Sequence, residues 1–340
     1  MARWSETAVL QRLKKVGAPK VLAFACLLLL WNTSISFEPP YLFVETFSGE
    51  AAATRAVRHC FPARATAASD IKYTVSMDIN TSGGMGACLT AILRGDASGG
   101  FVHWLGVLCS SFVTTSRGSS GRSLLNPEGL ESYPSVLASN HMAARVALLC
   151  IATYAFFGTW IIEQPNSSIL FQTKRMQHVC GLMQVFKSGF WMWHYKARTQ
   201  KRTMLWSPSK LIGKFWRGKL NRAEYLRDRD SRNPDHKPPP CRQYRDKSGR
   251  KRFQGTSSLR DTGTYTYQFG LKIASLIRDL LPSQDPAPHD ETVDPIAVWE
   301  SWSWGDMWDD ASMRDLVAYL YGSASLSIPP EWRRVLPREL

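Results

Sequence analysis

Four things are missing from this 340-residue sequence, and each absence removes a class of protein. Its 7 cysteines include no Cys-x-x-Cys pair, which excludes a zinc knuckle. There is no Gly-x-Gly-x-x-Gly, so a pyrophosphate-binding fingerprint is absent. No repeat marks a solenoid or propeller. No uninterrupted apolar run reaches the length of a membrane span; the longest, Val21 to Trp31, has eleven residues. Acidic residues are also scarce, 28 against 42 Lys and Arg. The resulting net charge of +14 points to a polyanionic partner, either nucleic acid or an anionic membrane face.

What is present suits a folded α/β protein. Hydrophobic residues make up 44% of the chain and 13 are Trp, too many for global disorder. Scattered, unpaired cysteines suit free thiols in a reducing compartment. Lys14, Lys15 and Lys20 precede Val21–Trp31, and Ser34 and Ser36 follow it. That arrangement reads as a secretory signal or short anchor, or equally as a buried helix. Asn32, Asn80 and Asn166 open glycosylation-type triplets, which arise often by chance.

The organising stretch is Tyr41 to Glu50: an apolar strand, a turn at Ser48-Gly49, then a helix over Ala51–Val57. A strand running through a Gly turn into a helix opens a nucleotide-type pocket in α/β folds. Strand and helix patterns then alternate to about Ser209, which predicts a doubly wound, mostly parallel sheet. The strands are expected at Tyr73–Met77, Phe101–Leu108, Thr159–Ile162, Phe190–His194 and Thr203–Trp206. Helices are expected at Met85–Leu93, Ser139–Phe157 and Thr173–Phe186. Ligands in such sheets bind beyond the carboxyl ends of the strands. Gly49, Asp78, Cys109 and Glu163 all follow strand ends in this reading, so they converge on one rim. Lys210–Arg260 crowds Lys and Arg around Tyr225, Tyr244 and Phe253, a composition suited to phosphate contacts or to a solvated linker. A helix at Thr264–Leu281, a linker at Pro282–Pro295 and a Trp-rich tail complete the chain. The divisions are therefore 1–36, 37–209, 210–282 and 283–340.

Six pieces, in order, resemble the DNA cytosine-5 methyltransferases, a family with a class I methyltransferase fold. Phe47-Ser48-Gly49 resembles the opening Phe-x-Gly. Met77-Asp78-Ile79 stands where the family has an acid for the ribose and an apolar residue against the adenine. Gly95-Asp96 resembles the Gly-Asp that reaches the adenine amino group. Leu108-Cys109-Ser110-Ser111-Phe112 resembles the nucleophile loop Pro-Cys-Gln-x-Phe-Ser. Ile162-Glu163-Gln164-Pro165 resembles the Glu-Asn-Val motif, and Gln200-Lys201-Arg202 the Gln-x-Arg motif. The likeness spans about Tyr41 to Ser209. It departs from the family at Leu108, at Gln164-Pro165, in the Ala residues after Gly49, and in lacking a recognisable target-recognition domain.

The resemblance implies S-adenosylmethionine as cofactor, held by Phe47, Ser48, Gly49, Asp78, Ile79 and Asp96. It implies Cys109, Glu163 and Arg202 as catalytic residues and no metal. The partner is nucleic acid, with DNA ahead of RNA, in nucleus or cytoplasm. Arg117 and Arg122 would lie on a loop closing over a flipped base. Two other readings stand beside it. One is a non-catalytic nucleic-acid-binding module on the same fold. The other is a secreted or membrane-attached protein, resting on residues 21–31.

Overall fold

The computed structural model describes residues 4–98, 100–233, 235–281 and 293–337. At its centre is a six-stranded sheet in the order β2-β1-β3-β4-β6-β5. The strands are β1 (Tyr41–Thr46), β2 (Ala65–Ser69), β3 (Phe101–Leu105), β4 (Gly158–Pro165), β5 (Phe186–Trp191) and β6 (Arg202–Ser207). The first four run parallel, and β6 is antiparallel to both β4 and β5. The expected mostly parallel α/β sheet is therefore present, with its last strand reversed and inserted before β5.

Side-chain alternation along β3 shows why the sheet is covered on both faces. Phe101 and Leu105 join one apolar cluster, and Val102 and Trp104 the other. His103 points toward the first cluster, held by Thr46 Oγ1 at 2.9 Å and by Thr153 Oγ1 at 2.9 Å. Burial drives its pKa down to about 3, so the ring is neutral there.

On one face lie α3 (Ala52–Cys60) and a later helix, α9 (Tyr267–Leu280). Their contact is close enough that a Cβ on Gly270 would stand 2.6 Å from Ala56 Cβ and 3.0 Å from Ala52 O. The small residues on α3 and the glycine on α9 are what allow it. The other face carries α1 (Glu6–Lys15), α2 (Lys20–Leu30), α4 (Ser82–Leu93), α6 (Pro134–Ala155) and α7 (Lys174–Leu182). A one-turn α5 (Arg117–Ser120) lies in the loop before α6. The tail adds α10 (Pro295–Glu300) and α11 (Met313–Tyr321) to this face.

The apolar run Val21–Trp31 is α2 and its cap, and all of it but Leu30 is buried. Trp299 and Trp304 close over it, with Lys20 Nζ 4.3 Å from the first ring and bonded to the carbonyls of Trp299 and Trp302 at 2.7 Å. Glu6 ties the two ends of the chain further, accepting from Trp31 Nε1 at 2.7 Å and from Trp332 Nε1 at 2.6 Å. One continuous apolar cluster thus reaches from Trp4 to Leu336, and the boundaries drawn at 36 and 283 do not separate cores. Among the described residues, the helix long and apolar enough to cross a membrane is α6, not residues 21–31, and 72% of its most apolar window is buried inside the protein. A buried core helix passes the same test of length and composition.

Two expected strands differ, and one strand was not expected. Tyr73–Met77 is not a strand: only a 3₁₀ turn, Val75–Met77, forms there, with Tyr73 and Val75 exposed. The second strand is Ala65–Ser69, whose Ala-Thr-Ala-Ala-Ser carries little intrinsic β preference and is set by its pairing with β1. The strand expected at Phe190–His194 begins earlier, at Phe186, and gives way at Met192 to a 3₁₀ turn. Between β6 and α9, the basic segment forms a short α8 (Arg222–Asp228) and a separate hairpin, β7 (Cys241–Arg245) with β8 (Lys251–Gly255). The linker expected over 282–295 lies, through residue 292, outside the described residues.

Candidate active site at the carboxyl rim of the sheet

β1 leaves the sheet through a tight turn with three left-handed residues: Phe47 (φ 61°), Gly49 (φ 56°) and Ala51 (φ 50°). Only glycine adopts this region freely, so Phe47 and Ala51 each cost roughly 1 kcal/mol. Such strain concentrates where a backbone is shaped for a ligand. The turn is fixed against the end of β2. Ser48 N and Oγ donate to Ser69 O, and Gly49 N donates to Asp70 Oδ2 at 2.8 Å. Ser48 Oγ also lies 2.8 Å from the Tyr73 hydroxyl. A side chain at Gly49 would enter open space, its nearest neighbour being Lys72 Nζ at 4.0 Å.

Asp70 is thus the acid at the end of the second strand, a place the sequence pattern gave to Asp78. The correction follows from the strand assignment: β2 ends at Ser69, and Asp70 stands 21 residues after Gly49. A spacing of about twenty is the one expected for a ribose-binding acid, and it was the signal available. Asp78 stays at the same rim. It follows the 3₁₀ turn and leads into α4, its Oδ1 accepting from Asn80 N. Ile79 is buried, and its carbonyl accepts from Arg145 Nη1 at 2.6 Å. The same guanidinium also bonds Thr81 O and the tail carbonyl of Ala311, so it joins the Ile79–Thr81 loop to the tail.

Asp96 does not reach this rim. Its N–H donates to the carbonyl of Tyr41, the first residue of β1, and its carboxylate pairs with Arg64 just before β2. Both neighbours mark the amino ends of the strands, opposite the turn at Gly49. The Gly-Asp pair resembles the motif in sequence only, since here it precedes a strand.

The ends of β3 and β4 complete the rim. Register places Phe47, Gly106 and Glu163 in one row just beyond the paired residues Thr46, Leu105 and Ile162. Glu163 is 5% exposed. Its Oε2 accepts from the Tyr265 hydroxyl at 3.1 Å, and Oε1 lies 3.1 Å from Lys201 Nζ, an ion pair without hydrogen-bond alignment. Gln164 ties the two strand ends together by donating to Val107 O at 2.6 Å. Cys109 follows β3 and is partly buried. Burial pushes its thiol up, Lys201 pulls it down and Glu163 pushes it up, so thiol, ammonium and carboxylate share one electrostatic neighbourhood. The neighbouring ends of β3 and β4, tied by Gln164, place Cys109 and Glu163 on the same stretch of the rim.

Arg202 is not part of that neighbourhood. It is exposed at the start of β6 and stacks over Trp191 at 5.7 Å. Alternation along the strand turns its neighbour Lys201 inward instead. Arg122 likewise departs from the expected mobile role. It is buried, lies 4.2 Å from the Phe112 ring, and donates to Ser111 Oγ at 3.0 Å and Asn140 Oδ1 at 2.8 Å. The loop is therefore pinned at its middle. Arg117 is exposed, and so are Leu108, Leu124 and Leu125, the last at 99%.

Two residues of the site carried no local sequence signal. Tyr265 arrives from 102 positions beyond Glu163. Glu45 lies within β1, where its Oε2 accepts from Thr54 N at 2.8 Å and Thr54 Oγ1 at 2.5 Å, fastening α3 to the strand. Burial raises its pKa to about 7. Among the described residues, no cluster of His, Cys, Asp and Glu is arranged to hold a metal ion.

Comparison with family models, curated proteins and solved structures gives no match. The functional reading rests on the rim itself.

Proposed function

We propose that the chain is an S-adenosylmethionine-dependent nucleic-acid methyltransferase acting on carbon 5 of cytosine through a Cys109 adduct. The observation that carries this reading is the placement of Cys109 and Glu163 along one rim by the neighbouring strands β3 and β4, beside the strained turn Phe47–Ala51 and Asp70. The reversed β6 between β4 and β5 supports it, because a class I methyltransferase sheet also carries its one antiparallel strand there.

The residues of the first two strand ends fit the cofactor. The open face of Gly49 lets a ligand approach the backbone, and the Asp70 carboxylate suits ribose hydroxyls. Ile71, 53% exposed, offers an apolar surface for the base, and Asp78 stands at the same rim for its amino group. Bound there, the cofactor supplies an electrophilic methyl on a cationic sulfur. The chain's own residues do the rest. Cys109 gives up its thiol proton to water, its Sγ bonds to carbon 6 of the flipped cytosine, and the electron pair displaced from the 5,6 double bond makes carbon 5 nucleophilic. Glu163 holds a proton at the ring nitrogen, stabilising the charge that develops. After methylation, loss of the carbon 5 proton to water and of Sγ from carbon 6 restores the ring.

The basic segment supplies the nucleic-acid contact in this reading. Residues 210–256 carry 15 Lys and Arg against 5 Asp and Glu, 10 of the chain's 14 net positive charges. Its hairpin packs on neither apolar cluster and exposes Tyr244 and Phe253, and a two-stranded ribbon fits a major groove.

Incubation with S-adenosylmethionine and DNA containing 5-fluorocytosine tests the proposal. A covalent adduct mapped to Cys109 is expected, lost in Cys109→Ser, while Asp70→Asn weakens cofactor binding about tenfold or more. No adduct despite cofactor binding would refute the Cys mechanism. The second reading, a binding module without catalysis, is favoured by the raised Cys109 thiol and by Leu108, 60% exposed where the family has Pro. Salt-sensitive DNA binding without cofactor binding would select it.

A further inference from the structure

The segment that returns from the basic hairpin to α9 enters the site, and nothing in the motif pattern anticipates it. Thr262 O accepts from Lys201 Nζ at 3.3 Å, and three residues later the Tyr265 hydroxyl donates to Glu163 Oε2. That hydroxyl is itself fixed. Trp104 Nε1 donates to it at 3.2 Å, and the ring lies edge-on to Trp104 and tilted on Phe269 at 5.0 Å. The hydroxyl also passes directly over β3's exit, since a Cβ on Gly106 would stand 2.9 Å from it. A Cβ at position 106 would crowd that hydroxyl and the Phe47 carbonyl at 3.1 Å, so one of them would have to shift.

We infer that Tyr265 is a positioning residue for Glu163: its hydroxyl fixes one carboxylate oxygen and leaves the other facing Lys201 and the neighbourhood of Cys109. The inference rests on the reading of Glu163 and Cys109 as a methyl-transfer pair. It adds a residue from the far side of the basic insertion, so the segment following the nucleic-acid contact and the reacting groups are one connected unit.

Tyr265→Phe tests it, because the ring and its packing on Trp104 and Phe269 are kept and only the hydroxyl is lost. Methyl transfer by Tyr265→Phe, Glu163→Gln and the double variant is compared. Tyr265→Phe is expected to lower kcat about tenfold, the scale of one hydrogen bond to a charged group, with KM for DNA little changed. In the Glu163→Gln background it is expected to cost nothing further. An equal loss in both backgrounds would mean a merely structural tyrosine and overturns the inference.

A second measurement does not need methyl transfer: the rate of Cys109 alkylation by iodoacetamide, mapped by peptide mass. Without the hydroxyl, the Glu163 charge is less compensated and holds the thiol protonated more strongly, so alkylation is expected to slow about threefold. The slowing is expected only while Glu163 is present. Unchanged alkylation in Tyr265→Phe sinks the inference. Absent methyl transfer with the alkylation pattern intact would instead refute the proposed activity and leave Tyr265 in its role.

Discussion

Glu45 and His103 are buried on neighbouring strands and respond to pH in opposite senses. Burial raises Glu45 to about 7 from an ordinary 4.5, so the folded state holds an extra proton between those values. Its contribution to stability is complete below pH 4.5 and is lost as pH rises through 7. His103, lowered by burial to about 3 from 6.5, binds its proton more readily in the unfolded chain, so its contribution is lost as pH falls from 6.5 toward 3. Replacing Glu45 by Gln keeps an acceptor for Thr54 and removes the buried charge. The variant is expected to be more stable than the parent at pH 8 by roughly 2 kcal/mol, with the gap closing near pH 5, as read by urea unfolding at the two pH values. The site residues divide at this scale too. Phe47-Ser48-Gly49 and Cys109 were legible because each follows a strong apolar strand, and Glu163 because it comes straight after Trp160-Ile161-Ile162, although β4 continues through it to Pro165. Asp70 was hidden by the weak strand before it. Lys201 was eclipsed by the arginine beside it, since a motif fixes a neighbourhood and strand alternation decides which neighbour turns inward.

Among the elements, the α3–α9 pair controls the rim from behind. α3 begins one residue after the left-handed Ala51, and α9 begins two residues after Tyr265, so their contact fixes both the Phe47–Ala51 turn and the tyrosine. Gly270→Leu places a side chain where Ala52 and Ala56 leave no room. It is expected to cost about 1–3 kcal/mol and to weaken S-adenosylmethionine binding as α3 is displaced, seen as a lower Tm with reduced affinity in the fraction still folded. Most elements were readable from periodicity, α9 especially, with Phe269, Ile273, Leu276, Ile277 and Leu280 all buried. β2 was not, because an edge strand of Ala, Thr and Ser takes its conformation from hydrogen bonding to β1. The chain's own pattern there is poorer than that of Tyr73–Met77 beside it, whose Tyr, Thr and Val suggest a strand that does not form.

For the molecule as a whole, the two ends behave as one body. Lys20 in its cage of tryptophans, Glu6 between Trp31 and Trp332, and the pairing of Asn32 with Leu326 join α1 and α2 to the tail. Arg175 locks the same tail from another side, pairing with Asp306 and Asp310 and stacking on Trp308 at 3.9 Å. A chain ended at residue 293 would leave α2 and the α4 face uncovered. It is expected to aggregate or to bind ANS strongly, whereas the whole chain does neither, as gel filtration and fluorescence would show. Sequence patterning revealed the apolar run but not its cover, because the covering residues lie some 280 positions away and carry no periodicity that points back to it.

That separation has a consequence for synthesis. Residues 20–30 leave the ribosome well before the tryptophans that enclose them, which emerge only after nearly three hundred more residues have been added. At ordinary elongation rates the wait is tens of seconds, spent with an eleven-residue greasy helix in search of a lid. In the nascent polypeptide this stretch stays uncovered until Trp299 and Trp332 arrive.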